Sequence, residues 1–160
     1  MNREDAYYFM IMLASGLDEE YNAWLDKHLE TEEPLSDITY ELSLCGSDVN
    51  KAVSCLKNYR AGENVDERTV SERLRLFLKN AYDSNRFGKK EIVAYMHRFS
   101  EVVGDPCDFE IAVWGDMYYM DDYYALAEDG VISWKKFDSM FFAFLNEGIE
   151  MDRKNFWDNM

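Results

Sequence analysis

The chain has two histidines, His28 and His97, three cysteines, Cys45, Cys55 and Cys107, and 32 acidic side chains. Metal, nucleophilic or acid–base chemistry would have to be assembled from these groups. A di-metal centre in a helical bundle uses Glu-x-x-His pairs on inward faces. Leu25 stands three residues before His28, and Ala94 three before His97. A hydrolytic zinc helix needs two histidines one turn apart, and these two lie far apart in the chain. A Cys–His nucleophile needs an activating neighbour, and none adjoins any of the cysteines. Cys45 and Cys55 read as small apolar fillers, and the odd number of thiols reads as reduced. His28 sits near a helix end, where a cation is favoured, and His97 lies within an amphipathic helix beside Arg98, at the boundary between its apolar and polar faces. Asp121 and Asp122 are adjacent, so on a helix they point about 100° apart and do not face each other as an acid–base pair. Glycine never clusters into a phosphate loop. The expectation is no catalytic residue, no metal ligand set and no cofactor.

Two segments carry part of a calcium pattern. Asp83-Ser84-Asn85-Arg86-Phe87-Gly88 has Asp, Asn and Gly at the first, third and sixth positions of a ligand loop. Phe87 is then fifth, Lys90 eighth and Ala94 twelfth, where the bidentate Glu belongs. Asp129-Gly130-Val131-Ile132-Ser133 resembles the second half of another such loop, with Ala125 first and Lys136 twelfth. The resemblance is to the helix–loop–helix of the EF-hand family, in a degenerate form without calcium.

The segment Trp114 to Tyr124 reads Trp-Gly-Asp-Met-Tyr-Tyr-Met-Asp-Asp-Tyr-Tyr. On a helix, Trp114, Tyr118, Asp121 and Asp122 fall on one side, away from the apolar stripe of Phe109, Val113, Met117, Met120, Tyr124 and Ala127. Tyrosine combines an apolar ring with a polar tip and is enriched at interfaces. Acids among such rings receive Lys and Arg. These four residues are the candidate partner-binding site.

Charge points the same way. The net charge is -15 over 160 residues, while 16% are aromatic. Residues 1–60 hold 12 acids against 5 bases, 61–104 hold 7 against 8, and 105–160 hold 13 against 4. Nucleic-acid phosphates are repelled by this balance, leaving a basic protein as the partner sign selects it. The only local exception is Arg68, Arg75 and Lys79, which read as the solvated back of one helix. With 48% hydrophobic residues the chain has material for a core without disulfides. No apolar stretch approaches the length of a membrane span. The run Ala6 to Ala14 lacks a basic flank and a cleavage site, so it is not read as a signal peptide, and the location expected is cytoplasmic.

The elements that must position these residues are helical. Apolar residues recur every three or four positions and no strand-like alternation persists. The spacing predicts helices over 3–15, 18–31, 34–45, 49–59, 66–82, 89–103, 107–128 and 134–146, with a short final one over 151–160. Pro34 is read inside the first turn of the third. The fold class expected is all-α, a single domain over 1–160 of seven to eight helices, an irregular bundle or stacked helix pairs, with sub-boundaries near 61–65 and 104–106. In physical character such a small acidic domain resembles bacterial immunity proteins, which neutralise basic toxins or nucleases. Electrostatic steering followed by aromatic anchoring would be the mechanism. The alternatives are a nucleic-acid mimic and a hydrolase with an acidic cleft holding Asp, Glu and His together.

Overall fold

A computed structural model describes residues 1–62 and 64–151. It contains α1 (Arg3–Ala14), α2 (Glu19–Thr31), α3 (Asp37–Leu44), α4 (Val49–Arg60), α5 (Glu67–Asp83), α6 (Lys89–Val103), a 3-10 turn (Pro106–Asp108), α7 (Ala112–Glu128) and α8 (Trp134–Glu147). The fold is all-α; among the described residues there are eight α-helices and no strand. None of these helices is long and apolar enough to cross a membrane. The expected helix over 151–160 lies outside the described residues, Met151 excepted.

The chain divides into two compact units, Met1–Val70 and Ser71–Met160. In the first, α1 packs mainly on α4. The Asn2 side chain accepts from Asp5 N–H and the Asp5 carboxylate accepts from Asn2 N–H, a reciprocal cap that starts α1 at Arg3. Every residue from Ala6 to Leu13 is buried. Phe9 meets Tyr21 and Trp24 of α2, and Trp24 stacks on His28 at 4.0 Å. Arg3 lies over the Tyr59 ring and Arg60 over the Tyr7 ring, so two cations of this acidic unit are spent on its own aromatics. The third helix starts later than the sequence implies. Ser36 caps it by accepting from Thr39 N–H, and Pro34 stays outside.

In the second unit α6 packs extensively on α7, which also meets α8. Phe137, Phe141, Phe144 and Leu145 line the buried side of α8, as their spacing predicts. Each contributes about 1.5–3 kcal/mol on burial. Gly148, with φ +68°, ends α8 in the left-handed conformation that glycine adopts without a Cβ penalty.

Two sequence-based assignments are corrected here. Arg75 is not part of a solvated basic back. It is buried, bonded to Glu72, and donates to the Leu145 carbonyl in the last turn of α8. Its long stem goes under apolar neighbours while the guanidinium satisfies an orphan helix-end acceptor. The helix expected over 107–128 begins at Ala112 instead. Asp105 accepts from Cys107 N–H to start a 3-10 turn, and Phe109 and Ile111 are extended. The bend lays the Phe109 ring against Tyr118, at 6.1 Å between centroids.

The partial calcium loop at Asp83 also differs from a ligand loop. Gly88 has an ordinary φ of -83° and caps α6, so helix begins at Lys89, while the left-handed residue is Asn85 (φ 60°). From the seventh position on, the backbone is helical and its carbonyls are engaged in the helix rather than turned inward on an ion.

Candidate functional site

The four residues singled out from sequence do not share one environment. Trp114 is fully buried, which corrects its assignment as a partner contact. It is an anchor beneath the face, and its indole N–H has no hydrogen-bond partner among the described residues. Tyr118 and Asp121, four and seven residues on, are half-buried, and Asp122 is exposed. The physical reason is that α7 is apolar nearly all round. Its two ends along one side meet different cover, with packed protein over position 114 and solvent at 122.

Around Tyr118 the structure assembles groups that the sequence reading left apart. His97 of α6 lies against the Tyr118 ring, 4.7 Å between centroids. Tyr119 packs edge-on to Tyr118 at 4.9 Å. His97 Nδ1 is 2.8 Å from the Tyr118 carbonyl oxygen, and Nε2 is 2.8 Å from Glu101 Oε1. A carbonyl only accepts, so Nδ1–H donates to it; an ionised carboxylate only accepts, so Nε2–H donates to Glu101. The geometry suits the doubly protonated ring, an imidazolium, which alone donates to both acceptors at once. Asp121 Oδ2 stands 3.5 Å from Nδ1, a second anion facing the same cation.

The electrostatics follow from these contacts. Burial alone lowers the His97 pKa, but the Tyr118 carbonyl, the Asp121 charge and the Glu101 carboxylate together raise it above the ordinary value. Burial, then the neighbouring Asp122 charge, raises Asp121, and His97 partly offsets this. One Asp121 oxygen, Oδ1, is buried with no hydrogen-bond partner among the described residues. The Tyr118 phenol is raised by burial first, then by Tyr119, Glu101, Asp122 and Asp105. It stays protonated, a donor tip set in a field of carboxylates.

Chemically, this is a bridge rather than a catalytic base. His97 ties α6 to the α7 backbone, and while protonated it donates from both nitrogens, so that form holds no lone pair to take a proton from a nucleophile. Asp, Glu and His do converge, as the hydrolase alternative requires, but in this orientation the carboxylates hold the imidazolium. Among the described residues no group of three or more His, Cys, Asp or Glu is placed to hold a metal ion. Cys55 is pushed up to about 12 by burial and by its hydrogen bond to Glu41, the opposite of an activated thiol.

No protein-family model, curated protein or solved structure matches this chain.

Sequence reasoning missed His97, Glu101, Asp105 and Phe109 as members of this face. The spacing of His97 and Glu101 was available, since residues four apart share a helix side. Their meeting with Tyr118 depends on how α6 packs on α7, and the return of Phe109 depends on the break before Ala112.

Proposed function

We propose that the chain is an acidic protein-binding domain whose Tyr118 face receives Lys or Arg side chains of a basic partner. The observation that carries this reading is the half-exposed Tyr118 ring standing under the charges of Glu101, Asp105 and Asp122. A cation over such a ring gains from both the π face and the carboxylates. Asp122, exposed at the outer end, supplies the long-range attraction, and the Tyr118, Tyr119 and Phe109 rings supply contact area. Neutralising a basic toxin or nuclease, as immunity proteins do, is the specific role that this chemistry suits. Rings standing among the acids favour a protein partner over phosphate mimicry, which needs carboxylates on a bare ridge.

The test must separate this face from the overall charge. Binding of an arginine-rich peptide is measured by titration calorimetry for wild type, Asp122→Lys and Asp26→Lys. Asp26 is an exposed acid of α2 whose reversal changes the net charge equally. We expect Asp122→Lys to weaken binding about tenfold more than Asp26→Lys, and Tyr118→Ala to weaken it with the fold retained. Equal losses from the two charge reversals, or unchanged affinity in Tyr118→Ala, remove this face as the binding site.

A further inference from the structure

We propose that His97 is an internal, proton-controlled occupant of the Tyr118 cation site, so that the face binds a basic partner more tightly as pH rises and releases a proton on binding. The inference rests on the reading of that face as a receiver of cations, and adds its regulation. His97 does what the partner's Lys or Arg would do. It lies against the Tyr118 ring, donates to Glu101, and faces Asp121. While protonated it neutralises part of the negative charge that attracts a partner.

Among the described residues few groups face it. Glu101 stands one turn along its own helix. From α7 come the Tyr118 carbonyl and ring and the Asp121 carboxylate, with Asp122 next to it. The segment between the helices brings Asp105, whose charge acts on the Tyr118 phenol. Arg98, the adjacent cation, lies over the Tyr95 ring, 5.3 Å from its centroid. Among the described residues the charges acting on His97, those of Asp121 and Glu101, are negative, and they hold the proton to higher pH than on an ordinary histidine. When it leaves, Nδ1–H keeps its bond to the Tyr118 carbonyl, which can only accept. The Nε2 lone pair then faces the Glu101 carboxylate, which repels it. Glu101 is freed, and the face becomes more negative by one charge beside Tyr118. An arriving cation disfavours the imidazolium by like-charge repulsion, and by linkage it lowers the His97 pKa and expels the proton.

The experiment titrates an N-acetylated, C-amidated oligoarginine peptide, which has no group ionising near neutrality, at low salt from about pH 5.5 to about pH 8.5. For one unit charge at contact range near the surface, affinity of the wild type should rise about three- to tenfold across the range relative to His97→Gln. His97→Gln stays at the high-affinity level and His97→Arg at the low one. Parallel pH profiles for wild type and His97→Gln overturn the proposal. So does a His97 imidazole pKa, followed by NMR in the wild type, that the peptide leaves unchanged. The NMR readout needs no variant to fold. Loss of the Asp122→Lys effect would instead sink the binding-face reading itself, so the two failures are distinguishable.

Discussion

Replacing Trp114 by alanine separates its role from that of Tyr118 one turn away. Trp114 is among the largest fully buried side chains, on the side of α7 that its neighbour Tyr118 leaves half-open. Removing the indole deletes most of a bicyclic ring from a packed interior and leaves a cavity. Losses of this kind cost about 3–5 kcal/mol. For a chain of this size that corresponds to a melting point lower by roughly 6–20 °C. Trp114→Phe is the informative companion. The indole N–H has no partner among the described residues, so phenylalanine forfeits no hydrogen bond there and removes a buried, unsatisfied donor. Its cost is limited to lost volume, about 1–1.5 kcal/mol. Tyr118→Ala, at a half-exposed site, should stay below about 1.5 kcal/mol. Urea unfolding followed by far-UV circular dichroism gives all three values. A Trp114→Ala loss under about 1 kcal/mol, accompanied by weakened peptide binding, would refute the reasoning. It would return Trp114 to the surface role the sequence had implied.

Two further outcomes follow from the same contacts. Arg75→Met keeps an apolar stem but strips the donor from the Leu145 carbonyl, and should cost about 1–3 kcal/mol in urea unfolding. Glu72→Gln, whose side chain is over half exposed, should cost less than about 1 kcal/mol, and equal losses would show that the carbonyl bond is not what matters. The His97 pKa is raised in the folded protein, so its stabilisation is fully present below the unfolded value of about 6.5 and is lost as pH climbs through the folded value. Wild type should therefore exceed His97→Gln by about 0.5–1 kcal/mol in mildly acidic urea titrations and converge with it under alkaline conditions. The opposite trend would mean that the ring is held neutral.

The helices were legible where the apolar spacing had one direction. Lys89–Val103 and Trp134–Glu147 present single stripes, Ile92, Val93, Met96 and Phe99 in one and Phe137, Phe141 and Phe144 in the other, and both are buried as the spacing implies. Ala112–Glu128 offers no such direction, because Trp114, Met117, Tyr118 and Met120 surround it. Periodicity could not say which flank would be covered, and Trp114 and Tyr118 were given the same exposure when packing separates them. Arg75 misled for a related reason. Charge type fixes the preference of the guanidinium for a polar partner, but only the arrangement of α5 and α8 supplies a buried one at Leu145. At Pro34 and Cys107 the capping chemistry was present in the sequence, in Ser36 and Asp105. Proline's fitness for a first helical turn points to Pro34, and apolar spacing extends α7 back towards Cys107, but the caps at Ser36 and Asp105 set where the chain turns.

The eight consecutive buried residues from Ala6 to Leu13 give α1 no outward side. An ordinary surface helix has positions where lysine replaces glutamate at no cost, and lineages diverge there freely. This segment has no such slack between its first turn and its last. Its permitted vocabulary is confined to apolar replacements of similar volume and to tyrosines whose hydroxyls still reach a partner. Random mutagenesis should leave those eight positions nearly silent among surviving clones.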